Sequence, residues 1–304
     1  MGGDPDPYHI RDGLRSEEDN ETFKNYYVRP QYITLDGATY WKGYKTYSEY
    51  NYLKPGIASW IKTRHFETAL KLTSKYFHKC NVIDFGCADG AFLPSLAKYF
   101  NHVVAVDRNP NFVRIASKLV NEMDINNIEL ICNDNLTIKE VKSKISSEEW
   151  HILYLLDVLE HVGDRLNMYG SKLEFLREVS TLIHDDGIIV ISVPKMIGIS
   201  FLIQRLGLTL LRMNRESISI RDLIKAGIFN DTSNLERKWN GGHLGFNHKR
   251  LENCIRKEFS ILEKKDGICI AKYPFKRFSA FFFCGKFFTH LKQSSLTSNF
   301  LSSS

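Results

Sequence analysis

The stretch Val82-Ile83-Asp84-Phe85-Gly86-Cys87-Ala88-Asp89-Gly90 decides how this 304-residue chain folds. A short apolar run ends in an acidic residue and then turns through two glycines. An amphipathic stretch from Phe92 to Phe100 follows, so the segment reads as strand, tight loop, helix. Glycine lets backbone approach a ligand closely, and a helix N-terminus presents free N–H groups to an anionic end. The next apolar run, His102 to Val106, closes on Asp107, where a carboxylate can hold both hydroxyls of a ribose. Strand, glycine loop, helix, strand and acid together point to an adenosine-like ligand.

The glycine spacing then separates cofactors. A dinucleotide fingerprint needs G-x-G-x-x-G around a pyrophosphate. Here the pattern is Asp84-x-Gly86-x-Ala88-x-Gly90, with a carboxylate ahead of the first glycine. It resembles motif I of the class I S-adenosylmethionine-dependent methyltransferases, written E/D-x-G-x-G-x-G in that family, with Ala88 in place of the middle glycine. The family's loop wraps the amino-acid end of the cofactor. The resemblance therefore assigns Asp84, Gly86, Cys87 and Gly90 to S-adenosyl-L-methionine, with Asp107 on the ribose. Arg108 either stacks on the adenine or faces solvent.

Further elements keep the family's order. Ile128 to Cys132 reads as a third strand, followed by Asn133-Asp134-Asn135, where the resemblance places an acid or amide on the adenine amino group. Ile152 to His161 reads as the fourth strand and its exit. Its Asp157-Val158-Leu159-Glu160-His161 is similar to the wording of small-molecule and lipid O-methyltransferases. Gly187 to Pro194 reads as the fifth strand. The implied fold is α/β: a Rossmann-like, seven-stranded methyltransferase sheet with helices on both faces and the last strand antiparallel. Residues 259–263, 267–271 and 278–284 supply the late strand candidates.

Composition agrees with a globular enzyme: 43% hydrophobic and 25% charged residues can build a sizeable core. Even strand spacing without a Pro/Gly/Ser-rich linker favours one elaborated domain. Its expected layout is a disordered N-terminus over 1–22, a cap and first helix over 23–78, the methyltransferase domain over 79–292 and a disordered tail over 293–304. Six scattered cysteines with no C-x-x-C pair read as core thiols. No signal peptide or membrane span opens the sequence, so the expected location is cytoplasmic, with membrane association a second option. The formal charge of +6 gathers basic residues late in the chain, such as Lys249, Arg250, Arg256 and Lys257. They read as a solvated face; an anionic substrate or membrane is the sharper alternative, and nucleic acid the weaker one.

Two unusual regions flank the motifs. Before motif I the chain is rich in tyrosine (Tyr26, Tyr27, Tyr32, Tyr40, Tyr44, Tyr47, Tyr50, Tyr52), followed by an amphipathic helix from about Ile57 to Phe77. Those rings either close over cofactor and acceptor or pack the helix on the sheet. After the fifth strand, a cap insertion over 196–246 opens with Met196 to Met213, apolar but interrupted by Gln204, Arg205 and Arg212. That is too polar to span a membrane. Roofing the acceptor pocket is the first reading, as in quinone-type O-methyltransferases, and contact with a membrane interface is the second.

Methyl transfer from a sulfonium is a direct displacement, so alignment matters most. An oxygen acceptor also needs its proton removed. Asp157, Glu160 and His161 stand at i, i+3 and i+4, sharing one face if the strand exit turns helical. His243 follows Gly241-Gly242 far downstream. Glu160, His161 and His243 are thus catalytic candidates, and with Asp157 they form a candidate site for Mg²⁺ or another divalent ion. This arrangement resembles the small-RNA terminal 2′-O-methyltransferases and some quinone-pathway O-methyltransferases; in metal-free relatives Glu and His only fix the loop. No Asn/Asp-Pro-Pro-Tyr/Phe follows the fourth strand and no Pro-Cys pair occurs, which argues against methylation of base amines or cytosine C5. The expected acceptor is an oxygen of a small, lipid-like or glycan molecule. RNA 2′-O-methylation, nicotinamide-dependent redox chemistry and a non-catalytic cofactor-binding module are the alternatives.

Overall fold

Five of the apolar runs become parallel strands: β1 Val82–Phe85, β2 Val103–Asp107, β3 Ile128–Cys132, β4 Ile152–Leu156 and β5 Ile188–Ser192. They lie in the order β3-β2-β1-β4-β5. The computed structural model describes residues 25–34, 40, 43–54, 57–145, 149–210, 218–265, 268–272 and 280–283. Every residue of β1, β2, β4 and β5 is buried. A parallel sheet covered by helices on both faces requires such continuous apolar runs. Asp84 of β1 stands beside Ala105 of β2 and Tyr154 of β4. The strand order reverses between β1 and its two neighbours, and the carboxyl ends of the strands there border the crevice where open α/β sheets bind ligands.

The helices are α1 Ile57–Thr73, α2 Leu93–Tyr99, α3 Pro110–Glu122, α4 Ile138–Lys144 and α5 Met168–Ser180. Local chemistry starts two of them. The Asn109 side chain accepts from Asn111 N–H ahead of Pro110, and Thr137 with Glu140 forms a reciprocal capping box for α4. The first helix stops at Thr73, short of the expected Phe77, and a 3₁₀ turn Ser74–Tyr76 follows. The Thr73 hydroxyl lies 2.7 Å from that of Tyr154, fastening the helix end to β4.

The tyrosine-rich segment divides its rings between packing and cavity. Tyr26 and Tyr27 donate their backbone N–H groups to Glu67 of α1, each at 2.8 Å. Tyr27 stacks on Phe66, and Phe66 on Phe92 at 4.8 Å. Asp89 of the glycine loop faces away from the cavity and accepts from the Ser48 N–H at 2.7 Å and from its hydroxyl. One motif residue therefore straps the N-terminal segment to the loop.

Two expectations are corrected. The parallel sheet that carries the site has five strands, not seven. Beyond β5 its edge is extended by β6 Ser260–Lys265, β7 Ile268–Lys272 and β8 Ala280–Phe283, in the order β8-β7-β6. The last strand pairs parallel with β5, because β6, β7 and β8 run antiparallel in succession and the third returns to the starting direction. The disorder expected over 1–22 and 293–304 lies outside the described residues. After β5 come α6 Ile199–Leu210, α7 Ile220–Ile224 running into a wider turn at Lys225–Phe229, α8 Ser233–Glu236 and α9 His248–Ile255. Met196, Phe201, Leu223, Ala226 and Leu235 form a small core of their own there. No helix among the described residues is long and apolar enough to cross a membrane. Cys80 and Cys87 are buried free thiols, as the core reading expects, whereas Cys132 and Cys254 are free but only half-buried.

Candidate active site

A cavity of about 750 Å³ opens at the carboxyl ends of β1, β2 and β4. Of the residues singled out in the sequence, Asp84, Gly86, Cys87, Asp107, Arg108, Asn133, Asp134, Asn135, Asp157 and His161 line it. Gly90, Glu160 and His243 do not. Gly90 has φ +91° and turns toward Leu93, Ala116 and Leu119, so its part is to let the loop enter α2.

The loop needs left-handed backbone at three places: Gly86 (φ +90°), Ala88 (φ +48°) and Gly90. A Cβ on Gly86 would sit 2.4 Å from Val158 Cγ2. Ala88 occupies the family's middle-glycine position at a cost of roughly 1 kcal/mol. Asp107 offsets it: one carboxylate oxygen accepts from Ala88 N–H at 2.9 Å and the other from Asn109 N–H at 2.8 Å. The same carboxylate that faces the cavity thus holds the loop in shape. Asn133 presents a buried side-chain oxygen with no hydrogen-bond partner, which fits an adenine amino donor. Arg108 is exposed on the cavity wall. Burial pushes the Asp84 carboxyl up to about 7, with the Asp107 charge adding to it. Burial also pushes the Cys87 thiol well up, so it stays neutral.

Beside this cavity Glu160, His161 and His243 come together. The 3₁₀ turn Leu159–His161 buries Glu160 completely, and neither of its carboxylate oxygens has a hydrogen-bond partner. Oε1 lies 3.6 Å from His243 Nε2 and 3.9 Å from His161 Nε2, and the two Nε2 atoms are 3.3 Å apart. His161 Nδ1 sits 2.5 Å from the carbonyl oxygen of Gly241. A carbonyl only accepts, so Nδ1 carries the proton and Nε2 offers its lone pair. Burial pushes the Glu160 carboxyl well above the carboxylate range, the Asp157 charge adds to this, and Lys172 opposes it.

Asp157 does not join the cluster. Its backbone is left-handed (φ +56°), so the helical i, i+3, i+4 geometry never starts there. Its carboxylate instead accepts from the Ser192 hydroxyl at 2.8 Å. Among the described residues the group able to hold a metal ion is Glu160, His161 and His243 alone, with one ligand atom of each within 4.8 Å of the others.

Sequence reasoning missed the groups that fix this arrangement. Lys172 of α5 is fully buried and donates to the carbonyl oxygens of Val162 at 2.6 Å and Glu160 at 3.2 Å. Its ammonium also lies 4.4 Å from the Trp239 ring centroid, and the Trp239 indole N–H donates to Gly242 at 2.8 Å. One buried cation therefore ties the turn bearing Glu160 and His161 to the segment bearing His243. His65 and Phe66 of α1 and Phe112 of α3 also line the cavity. Burial lowers the His65 pKa, which keeps that imidazole neutral. None of the cavity-lining residues comes from 196–246, so the described part of Met196 to Met213 does not roof this cavity.

A family model for the methyltransferase domain matches residues 54–220, more than half of the sequence. The chain belongs to the S-adenosylmethionine-dependent methyltransferases. The match begins just before α1 and ends at the start of α7, enclosing every cofactor candidate. No curated protein matches significantly. Solved structures that resemble this methyltransferase are remote. An rRNA methylase from Streptococcus thermophilus is 15% identical over 47% of this chain and 77% of its own, with TM-score 0.34. Coclaurine N-methyltransferase bound to N-methylheliamine and S-adenosylhomocysteine is 18% identical over 47% and 39%, with TM-score 0.36. A S-adenosylmethionine-dependent methyltransferase from Aquifex aeolicus is 13% identical over 70% and 89%, with TM-score 0.41. The first two differ in their acceptors and say nothing about the acceptor here.

Proposed function

We propose that this methyltransferase moves the methyl group of S-adenosyl-L-methionine onto a hydroxyl oxygen of a small, lipid-like or glycan acceptor. The loop from Asp84 to Gly90 with Cys87 takes the amino-acid end, Asp107 the ribose, and Asn133 with Asp134, Asn135 and Arg108 the adenine. Asp157, held by Ser192, borders the same end. The acceptor oxygen attacks the methyl carbon as the carbon–sulfur bond breaks, and S-adenosylhomocysteine leaves. Preorganised geometry supplies the main acceleration for such a displacement. Where no ion is bound, His161 Nε2, its tautomer fixed through Gly241, accepts the hydroxyl proton.

The observation that carries this reading is the buried Glu160 carboxyl, without a hydrogen bond and within 3.9 Å of two imidazole Nε2 atoms. A buried carboxylate without a partner is costly, and a cation between the three groups would relieve that cost. The donor set fits a divalent ion, and two imidazoles favour a transition ion over Mg²⁺. Such an ion would be held by Glu160, His161 and His243 and would lower the pKa of a bound hydroxyl.

Incubation with methyl-labelled cofactor and a cell extract, resolved into lipid, small-molecule, glycan and RNA fractions, tests the proposal. The expected product is a methyl ether in one of the first three. Label in RNA would overturn the acceptor class, and label on nitrogen would overturn oxygen chemistry. Cofactor binding with no product in any fraction would identify a non-catalytic member. Chelator is expected to stop turnover while sparing cofactor affinity. Full activity in chelator would remove the ion and leave His161 as the base.

A further inference from the structure

The surface beyond β5 carries a feature that methyl transfer does not use. Seven of the twelve large hydrophobic side chains exposed among the described residues fall between 199 and 229, a concentration too great for scattered surface residues. On α6, Ile199, Ile203 and Leu206 stand at i, i+4 and i+7, one solvent-facing stripe. On α7 and the turn after it, Ile220 is 78% exposed, Ile228 55% and Phe229 70%. The two helices are held together from behind. Gly198 N–H donates to Ala226 at 3.0 Å, a Cβ on Gly227 would meet Leu202 at 2.7 Å, and Phe201 and Leu223 fill the small core between them. Inward positions are thus satisfied, and the outward apolar rows are exposed among the described residues.

Charge selects the occupant. Residues 195–229 contain six basic side chains and two acidic ones, +4 of the chain's +6, of which Lys225 is balanced by Asp231 at 3.3 Å. Of the two acids, Asp222 is buried and bonded to Ser219 and Asn234. Arg221 is exposed beside Ile220, and Arg205 lies over Phe201. Arginine is common in protein interfaces too, so it is the net positive charge of the segment that argues for an anionic surface. Exposed isoleucines and a phenylalanine set among arginines match helices that lie in a membrane interface.

We propose that α6, α7 and the Lys225–Phe229 turn form a docking face for an anionic phospholipid surface. The apolar rows enter the headgroup boundary and the arginines meet the lipid charge. This inference stands apart from the identity of the methyl acceptor and survives if that acceptor is soluble.

Flotation of the full chain with phosphatidylcholine vesicles, with and without phosphatidylserine, tests it. Binding is expected with phosphatidylserine and should weaken as salt rises. Ile203→Asp with Phe229→Asp removes two exposed apolar contacts and should weaken partitioning at least about tenfold. Arg221→Glu should weaken binding to the anionic vesicles specifically. S-adenosylhomocysteine affinity and melting temperature serve as the fold control and should hold in both variants, since none of these residues lines the cavity. Failure to float with either vesicle would overturn the proposal. So would unchanged partitioning of the double variant, or concentration-dependent dimers that this variant abolishes without vesicles present.

Discussion

Asp84 makes cofactor affinity depend on pH in a direction the structure fixes. Its carboxyl is fully buried in the cavity wall near Asp107, and burial with that neighbouring charge raises it to about 7. Without cofactor it is protonated below that pH. The amino-acid end of S-adenosylmethionine carries an ammonium, which favours the ionised carboxylate. Binding below pH 7 must therefore expel a proton, and affinity falls as pH falls. If the complex holds the group below about 4, the loss relative to the plateau is about twofold at pH 7, about elevenfold at pH 6 and about thirtyfold at pH 5.5. Calorimetry with S-adenosylhomocysteine from pH 5.5 to 7.5, in buffers of different ionisation enthalpy, reads both the slope and the proton released. Asp84→Asn should bind more weakly and lose the slope. The sign for stability is opposite. The free protein keeps this proton where the unfolded chain releases it, so stability contributed by Asp84 is complete below about pH 4. It is lost as pH rises to about 7, by roughly 4 kcal/mol at most. A pH-independent affinity in the unsubstituted protein would refute this account of Asp84.

Three substitutions probe other parts of the site. Gly86→Ala places a methyl against Val158 Cγ2 at a left-handed position and should cost at least about 2 kcal/mol of stability and most cofactor binding, by thermal melt and calorimetry. Asp107→Ala removes a ribose ligand and leaves the Ala88 and Asn109 N–H groups without their acceptor. It should cost a few kcal/mol in cofactor affinity and also lower the melting temperature; unchanged affinity would refute the ribose assignment. Lys172→Met keeps the buried stem but frees the Glu160 and Val162 carbonyls, and loss of a poorly solvated charge offsets part of the lost bonding. Stability should change by less than about 2 kcal/mol while kcat falls and cofactor affinity holds; unchanged kcat would rule out a positioning role.

Four of the five parallel strands, β1, β2, β4 and β5, were legible because each is an uninterrupted buried run ended by a turn residue, a pattern that few alternatives share. The half-buried β3 and its exit at Asn133 could be placed to the residue because a short, mostly apolar run stops at the polar Asn133-Asp134-Asn135. Asp157 could not. The i, i+3, i+4 spacing of Asp157, Glu160 and His161 speaks to geometry only if all three are helical, and a single left-handed residue at the strand exit cancels it. Lys172 is the opposite case. A lysine in an amphipathic helix reads as a solvated face, and only the fold shows that the 239–246 segment closes over it.

Met196 to Met213 shows how an apolar excess misleads when the covering surface is unknown. The sequence records that Ile199, Ile203 and Leu206 exceed what a core needs, but roofing a pocket and facing a membrane leave the same pattern. Direction decides between them, and direction depends on Phe201 and Leu202 being claimed by Leu223, Ala226 and Gly227. Those partners lie more than twenty residues downstream, across a stretch with no motif. Once they are satisfied, Ile199, Ile203 and Leu206 are left facing outward. Cofactor chemistry and the outward surface are then physically separate: the cavity rests on β1, β2 and β4, whereas the exposed rows rest on a small core of their own beyond β5. Substitutions on that surface should move localisation without touching the cavity.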